Sequence, residues 1–369
     1  MLWTSLLHVN ITLDCIPIGQ KFTCFSMSMA KILLTGFEPF GDNSTNISQQ
    51  ILNIFDTTLE ISDPWYAARN NMSGKENISL VVEKQLLTVD EVGSKIVANR
   101  IINGEHWDAV IHMGLCESCD FVRFETRAQN FIDMRIPDNK GRLVKNEKLG
   151  NTDFYCLNKV ISSVKYPRIE SLVISSDAGT YLCNETYYRT FEALNNAEKL
   201  ANVPICFLHL PGDDKLSTKQ SIEIVKQVIS RLFFKPVIDV VGAVWCDGDK
   251  VMLARRDQGY QMPGFWEFPG GKIEFGETLN AAICREMKEE FGINVTPIGY
   301  FGQHYHEYGD FSINLNLVKV QANIDELYER RSQWTSHDEV SWFSKIEGID
   351  IAEADKKLAV DIFDQINAK

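Results

Sequence analysis

The sequence predicts an α/β protein with two domains in tandem. Its 369 residues exceed what one hydrophobic core usually organises, and 44% hydrophobic with 24% charged residues is typical of a globular chain. Strand-like apolar runs alternate with amphipathic helical stretches up to about residue 234, and a different order of strands, turns and a glycine-rich loop follows. We therefore expect domains at residues 29–234 and 237–369.

Residues 1–28 are expected to be a disordered extension or a misassigned start. They have no basic leading region and no continuous apolar core, so they do not resemble a signal peptide. They are also too polar to span a bilayer. The first convincing strand, KILLTG, begins only after Met29.

In the first domain the strand-like runs are KILLTG, SLVVEKQLL, AVIHMG and SLVISS, and DEVGSKIVANRII has helical periodicity. A helix over residues 219–234 closes the domain. Lys235-Pro236 ends it, because proline lacks the amide donor and disfavours helix in the preceding residue. A new strand, VIDVVGAVW, starts at Val237.

Charge and cysteine content exclude some partners. The chain carries 37 basic and 50 acidic side chains, a formal charge of -13, which repels polymeric nucleic acid and anionic membrane. A small anion accompanied by a metal ion remains compatible. The nine cysteines are scattered and odd in number, so we expect no disulfide framework and a cytoplasmic location.

The strongest motif is GGKIEFGETLNAAICREMKEEFGI at residues 270–293. On a helix, Glu286, Glu289 and Glu290 stand at i, i+3 and i+4, so their carboxylates project from one face. Oxygen ligands at that density suit Mg²⁺ or Mn²⁺. The alternative is a solvated acidic helix face, which explains neither the Gly-Gly entry nor the glycine stop at Gly292.

This segment resembles the Nudix box, and the resemblance extends over roughly residues 237–367. It implies a three-layer α/β/α fold and metal-assisted hydrolysis of a nucleoside triphosphate to a monophosphate and pyrophosphate. Glu286, Glu289, Glu290 and the Gly270 carbonyl would hold the metal, and one glutamate would also serve as base. Glu277 and Arg285 would brace the loop onto the helix.

The surrounding text, LARRDQGYQMPGFWEFPGG, resembles the MutT-type branch, which includes 8-oxo-dGTP diphosphatases and CTP pyrophosphohydrolases. By that resemblance Arg256 contacts phosphate, Phe268 helps to wall the base pocket, and Asp355 reads the base edge. An acidic acceptor pairs with the cytosine amino group, whereas a protonated one can face a purine, so the base stays open.

The second domain departs from this branch in WTSHDEVSW, where Ser336 replaces a glutamate that supplies the fourth metal ligand. His337 or Asp338 is an alternative ligand. The competing interpretation of the whole domain is a metal-binding regulatory module that has lost turnover.

Three further segments carry a Cys, a His and a carboxylate: FVRFETRAQN with Glu125, SSDAGTYLCNETYY with Cys183, and CFLHLPG with His209. These are a thiol nucleophile, its base and a group that orients the base. Cys183 follows a strand and a turn, so it should lie in the first turn of a helix, where the helix dipole favours thiolate.

Their order, together with GFEPFG at residues 36–41, resembles the pyroglutamyl peptidase I family over about residues 30–233. The resemblance implies a second three-layer α/β/α domain that needs no cofactor. Cys183 would attack the carbonyl that joins an N-terminal pyroglutamate to the next residue, His209 would move the proton and Glu125 would hold the imidazole. Phe37 and Phe40 would sandwich the lactam ring.

The partners implied are pyroglutamyl peptides and nucleoside triphosphates, and self-association is common among such peptidases. HMGLCESC departs from the family, so the alternative is an inactive binding or scaffold module beside an active Nudix domain. A further alternative makes His112, Cys116 and Cys119 soft metal ligands.

Overall fold

The computed structural model describes residues 29–69, 77–156, 168–197, 200, 203–260, 262–274 and 276–367. The prediction for residues 1–28 lies outside these residues. Within them, residues 29–64 and 77–234 form one compact unit, and residues 65–69 and 235–367 form the other. No helix in these ranges is both long enough and apolar enough to cross a bilayer.

The first unit is a sheet flanked by helices. Its strands are β1 Ala30–Phe37, β2 Thr58–Ser62, β3 Asn77–Leu87, β4 Ala109–Leu115, β5 Val122–Glu125, β6 Arg127–Gln129, β7 Phe154–Cys156, β8 Leu172–Ser175 and β9 Ile205–Leu210. Its helices are α1 Ile47–Ile54, α2 Glu91–Ile102, α3 Leu182–Asn196 and α4 Thr218–Phe233. Each strand and helix that the sequence predicts for this unit is confirmed.

Seven of these strands form one sheet in the order β2-β3-β1-β4-β9-β5-β8, and β6 pairs with β7 apart from it. β2 runs antiparallel to β3 and β5 antiparallel to β9, while the other neighbours are parallel. Helix α1 packs with α4, and α2 packs with α3. The predicted α/β layering is therefore present.

Local signals explain where the helices begin. Asp90 caps α2 by accepting a hydrogen bond from Gly93 N at 2.8 Å. Ser217 and Gln220 form a capping box at the start of α4. The buried middle strands β1 and β4 are apolar along almost their whole length, as expected for parallel strands covered on both faces.

The second unit contains β10 Val237–Asp247, β11 Lys250–Arg256, β12 Trp266–Glu267, β13 Gly270–Lys272, β14 Thr296–Glu307, β15 Ser312–Gln321 and β16 His337–Phe343. Its helices are α5 Leu279–Phe291, α6 Ile324–Glu329 and α7 Glu353–Asn367, with a 3₁₀ turn at Arg331–Gln333. The strand order is β12-β11-β10-β15-β14, with β13 paired to β10 and β16 paired to β11.

Two separate hydrophobic clusters cover this sheet. One includes Ala282, Met287 and Phe291 of α5, and the other includes Leu358 and Phe363 of α7. The strands therefore lie between two helical layers. Helix α5 ends as predicted at Gly292, which adopts φ 73, a left-handed conformation that favours glycine.

Candidate active sites

The first unit brings together the predicted cysteine, histidine and glutamate. Cys183 is the second residue of α3, His209 lies in β9 and Glu125 ends β5. His209 Nδ1 is hydrogen bonded to Glu125 Oε1 at 2.9 Å. Burial opposes the charge on His209, but hydrogen bonds with Cys183 and Glu125 outweigh it and raise the pKa of His209 to about 9. The imidazole is therefore placed between the Glu125 carboxylate and the Cys183 sulfur, an arrangement that favours its protonated form.

Packing fixes this arrangement. The Glu125 side chain is 0% exposed, and the Tyr187 hydroxyl donates to the Glu125 carbonyl oxygen at 2.9 Å. Behind the thiol stands Gly114 of β4, where an added Cβ would lie 2.9 Å from Cys183 Sγ and 3.0 Å from the Phe207 ring. Only glycine leaves space for the sulfur there.

A small apolar pocket opens beside the thiol. Phe37 and Phe40, the two aromatic residues predicted to bind substrate, both line it together with Cys183. Phe37 is 3% exposed, whereas Phe40 is half-buried and its ring centroid lies 6.1 Å from that of Tyr181. The pocket suits a flat, uncharged group next to the sulfur.

The hypothesis of a metal site at His112, Cys116 and Cys119 is wrong. Cys116 and Cys119 are joined by a disulfide. His112 is fully buried, with Nδ1 2.8 Å from Thr35 Oγ1 and Nε2 3.1 Å from Thr190 Oγ1. Burial lowers the pKa of His112 to about 3, so it is a neutral core residue.

In the second unit, α5 carries the three glutamates, and Arg285 contacts two of them. Its Nη1 donates to Glu286 Oε1 at 2.8 Å and to Glu289 Oε2 at 3.2 Å. The same guanidinium donates twice to Glu277, at 3.0 Å each, and to the Lys272 carbonyl at 2.9 Å. The predicted bracing of the glycine-rich loop by Glu277 and Arg285 is confirmed.

Across the described ranges, no group of three or more histidine, cysteine, aspartate or glutamate side chains is arranged to hold a metal ion. The donors of this face nevertheless fit a hard divalent cation. Glu290 Oε2 is buried without a hydrogen-bond partner, and burial raises the pKa of Glu290 to about 7. At Gly271 a Cβ would lie 2.5 Å from Glu286 Oε2, so the backbone approaches the carboxylate closely. The metal set Gly270, Glu286, Glu289 and Glu290 stays a prediction.

A chain of hydrogen bonds leads away from Glu290. Ser336 Oγ donates to Glu290 Oε1 at 2.6 Å and lies 3.1 Å from His337 Nδ1, and His337 Nε2 lies 3.0 Å from Glu267 Oε1. Ser336, at the sequence position expected to supply the fourth metal ligand, therefore contacts Glu290. Asp338, the other alternative ligand, pairs instead with Arg255 at 2.8 Å.

The predicted nucleotide-binding residues lie beside this chain. Arg256 Nε donates to Glu267 Oε2 at 2.6 Å. The buried Phe268 donates its backbone N–H to Asp355 Oδ1 at 3.0 Å. Burial, reinforced by the charge of Glu267, raises the pKa of Asp355 well above its usual range. The structure therefore places Arg256, Phe268 and Asp355 close together around Glu267. Their roles in nucleotide binding stay predictions.

Comparison with known proteins agrees with both units. The family model described as pyroglutamyl peptidase matches residues 30–221, more than half of the chain, and the NUDIX domain model matches residues 237–360. A pyrrolidone-carboxylate peptidase from Thermococcus litoralis is 30% identical over 190 residues, covering 50% of this chain and 77% of that protein. The chain belongs to the pyroglutamyl peptidase family.

The second part carries a Nudix domain in tandem. An 8-oxo-dGTP diphosphatase from Proteus vulgaris is 38% identical over 98 residues, which is 26% of this chain and 88% of that protein. A CTP pyrophosphohydrolase from Escherichia coli is 37% identical over 84 residues, 23% of this chain and 62% of that protein.

Among solved structures, the pyrrolidone carboxyl peptidase of Thermococcus litoralis has a TM-score of 0.45 and 25% identity, covering 55% of this chain and 93% of that one.

Sequence reasoning missed several residues of this pyroglutamyl peptidase family member. Val89 and Tyr181 also line the pocket. Tyr181 was available as a signal, because it stands two residues before Cys183 within the same motif. Val89 follows β3, and only the folded sheet brings it to the thiol. Leu115, which ends β4 and also lines the pocket, belongs to the HMGLCESC segment in which the sequence departs from the family.

An ion-pair network at the start of α3 was also missed. Glu185, in the first turn, is fully buried and accepts from Arg142 Nη2 at 2.6 Å and from Arg189 Nη2 at 2.7 Å. Arg142 also pairs with the buried Asp138 at 3.1 Å. The network fixes the helix turn that presents Cys183. Asp138 lies in the segment RIPDN, residues 135–139, and nothing in the local sequence pattern pairs it with α3.

Proposed function

We propose that the chain is a bifunctional hydrolase. One site would remove N-terminal pyroglutamate from peptides, and the other would hydrolyse nucleoside triphosphates to a monophosphate and pyrophosphate with Mg²⁺ or Mn²⁺. The observation that supports the first activity most strongly is the contact of His209 with both Cys183 and Glu125 beside an apolar pocket.

In the peptidase reaction, the Cys183 thiolate attacks the carbonyl carbon of the pyroglutamyl bond. Backbone N–H groups of the first turn of α3, which have no partner within the helix, are suited to stabilise the oxyanion. The His209 imidazolium then donates its proton to the leaving amine. Water, deprotonated by the neutral imidazole, hydrolyses the thioester and regenerates the thiol. No cofactor takes part.

Recognition of the ring rests on shape. A pyroglutamyl group has no free amine and carries no charge, so stacking and exclusion of larger groups replace ion pairing. Phe37 and Phe40 supply aromatic surface, and Tyr181 adds a third ring. Apart from the nucleophile Cys183, the pocket-lining residues include no acidic or basic side chain, which agrees with a neutral ligand.

In the Nudix reaction, Glu286, Glu289, Glu290 and the Gly270 carbonyl would hold the divalent cation. A bound cation would polarise the phosphoanhydride and lower the pKa of attacking water. The cation would have to compete with Arg285 for the carboxylates of Glu286 and Glu289. Glu290 is our candidate for the base among them, because Ser336 Oγ orients it by donating to Glu290 Oε1 at 2.6 Å.

Two nucleotides compete as substrate, since the Nudix relatives are named an 8-oxo-dGTP diphosphatase and a CTP pyrophosphohydrolase. Asp355 decides between them in our proposal. Its raised pKa favours a protonated acid, which can donate to a purine carbonyl oxygen, whereas an ionised one would accept from cytosine N4. Release of pyrophosphate from each nucleotide discriminates the two.

The proposal includes the wider setting of the chain. We place the peptidase domain at residues 29–234 and the Nudix domain at residues 237–369, in the cytoplasm, with self-association of the peptidase half. Matches of the two family models to residues 30–221 and 237–360 support these limits. A net charge of -13 supports binding of neither polymeric nucleic acid nor anionic membrane.

The test pairs two substrates with two variants. Wild-type protein should hydrolyse a chromogenic pyroglutamyl amide and release pyrophosphate from a nucleotide panel. Cys183→Ala should lose only the first activity and Glu290→Gln only the second, so each variant is the folding control for the other. A wild type that leaves the amide intact would make the first domain a binding or scaffold module beside an active Nudix hydrolase.

A further inference from the structure

A disulfide joins Cys116 and Cys119 in the turn that follows β4. Cys119 N donates to the Cys116 carbonyl at 3.2 Å and closes the turn. Among the other described cysteines, Cys156, Cys183, Cys206 and Cys284 carry thiols outside any disulfide. A bridge across so short a loop restricts the unfolded chain least, so stabilising the fold is a weak explanation for it.

The bridge lies next to the proposed peptidase site. Leu115, which precedes Cys116, lines the apolar pocket together with Cys183. Cys116 N donates to the Leu210 carbonyl at 2.8 Å, and Leu210 directly follows His209. The first half of the disulfide is therefore one residue from the pocket wall and is hydrogen bonded to the neighbour of the proposed base.

Between the two cysteines, Glu117 holds two further loops. Its Oε1 accepts from Asn43 Nδ2 at 2.7 Å, and its carbonyl oxygen accepts from Lys215 Nζ at 3.0 Å. Asn43 N in turn donates to the carbonyl of Phe40, a pocket residue, at 3.1 Å. Because Glu117 lies inside the turn that the disulfide closes, we expect opening of the bridge to loosen its contacts with the loops that carry Phe40 and follow His209.

Access to the two sulfur-bearing residues is unequal. Cys116 is partly exposed, whereas Cys119 is 1% exposed. A small thiol therefore meets Cys116 first. In a reducing compartment, such as the cytoplasm expected for this chain, disulfides are usually transient and serve catalysis or redox sensing.

We propose that Cys116 and Cys119 form a reversible dithiol–disulfide site for low-molecular-weight thiols, and that the disulfide state fixes the pyroglutamyl pocket. The effect on the pocket rests on the proposed peptidase function. The thiol exchange itself does not.

The exchange transfers two electrons to the protein. A thiolate RS⁻ attacks Cys116 Sγ, the bond to Cys119 Sγ breaks, and Cys119 leaves as a thiolate that takes up a proton. A second RS⁻ then attacks the R-group sulfur of the mixed disulfide and forms RSSR. Cys116 leaves as a thiolate and takes up a proton. Reoxidation by RSSR reverses both steps, so no other oxidant is required.

The redox site is tested in Cys183→Ala, which removes the competing nucleophile. The protein is equilibrated with reduced and oxidised glutathione at a series of ratios, and the two cysteines are counted by differential alkylation and mass spectrometry. We expect Cys116 and Cys119 to pass together from disulfide to dithiol within that series. A pair that stays fully reduced in oxidised glutathione, stays oxidised in dithiothreitol, or binds stoichiometric zinc would overturn the proposal.

The effect on the pocket is tested by steady-state kinetics on a pyroglutamyl amide. Cys116→Ser/Cys119→Ser, with Cys183 intact, should raise KM about threefold to tenfold, the effect of losing about one ordering hydrogen bond, and leave kcat within about twofold. Cys156→Ser, which alters an exposed free thiol of the same unit, should change neither. An unchanged KM in the double variant would overturn the control of the pocket.

The two failures remain distinguishable. Wild-type protein that lacks peptidase activity would remove the proposed function and with it the role in the pocket. The glutathione titration of Cys183→Ala would still decide the redox site, because it measures thiols and not turnover.

Discussion

The charge of Glu125 should control the protonation of His209. Glu125→Gln keeps an oxygen that can face His209 Nδ1, now 2.9 Å away, but removes the negative charge. Because Glu125 is fully buried, water cannot solvate the His209 imidazolium at this position in place of the lost carboxylate charge. A hydrogen bond to a charged group contributes about 1.5–3 kcal/mol, which corresponds to about one to two pKa units. We expect the pKa of His209 to fall from about 9 by that amount.

The sign of the pH dependence follows from the raised pKa. In the wild type, the stability contributed by charged His209 is fully present below the ordinary value of 6.5 and is lost as the pH rises through about 9. In Glu125→Gln the same loss occurs at a lower pH. The alkaline limb of the kcat/KM profile should move to lower pH by about one to two pH units, because the imidazolium of His209 is the acid that protonates the leaving amine.

The assay is the pH profile of pyroglutamyl amide hydrolysis, measured beside urea unfolding at each pH. Glu147→Gln, which alters an exposed carboxylate of the same unit, is the matched control and should leave both profiles unchanged. A Glu125→Gln enzyme that is active with the wild-type alkaline limb would refute the idea that this charge sets the pKa of His209.

Four further outcomes are expected. Chelation of divalent cations should abolish pyrophosphate release and spare amide hydrolysis, and loss of both would contradict the assignment of metal to one site. Ser336→Ala removes the hydroxyl that donates to Glu290 Oε1 at 2.6 Å, so kcat for nucleotide hydrolysis should fall about 10–100-fold. Ser336→Thr keeps a hydroxyl and should restore kcat. Equal activity of the two variants would show that this hydrogen bond does not support turnover. Gly114→Ala places a Cβ 2.9 Å from Cys183 Sγ. The variant should have a lower kcat for amide hydrolysis, and overpacking should lower its free energy of unfolding by about 1–3 kcal/mol. Unchanged kcat and stability would show that the backbone of the sheet shifts to accommodate the methyl group. Ser217→Ala removes the cap of α4 and should lower the free energy of unfolding by about 1 kcal/mol in urea, with both activities retained.

Much of the fold was predictable because the decisive signals are local. The alternation of strands and helices, the end of α4 before Lys235-Pro236 and the stop at Gly292 each depend on a few neighbouring residues. The same holds for the placement of Cys183 in the first turn of α3 and of Glu286, Glu289 and Glu290 on α5. Motif spacing on a helix fixes which side chains share a face, whatever the rest of the chain does.

The surroundings of those residues were decided by contacts between distant segments. Leu115 reaches the pocket because β4 lies beside β1, whose last residue, Phe37, also lines it. Cys116 and Cys119 form a disulfide, whereas the sequence predicted no disulfide framework and offered the two residues as metal ligands. No local pattern carries that information.

The same division holds for the second site. The register of β11 on β16 pairs Arg256 with His337, which brings Ser336 and His337 between Glu290 and Glu267. The sequence by itself determined the two domains, their families and the residues with chemistry to offer. Only the tertiary structure decided which partners those residues meet, because strand register is set by packing over the whole domain and not by neighbours along the chain. Register brings together the hydrogen-bond partners that raise the pKa of His209, and packing supplies the burial that raises the pKa of Glu290.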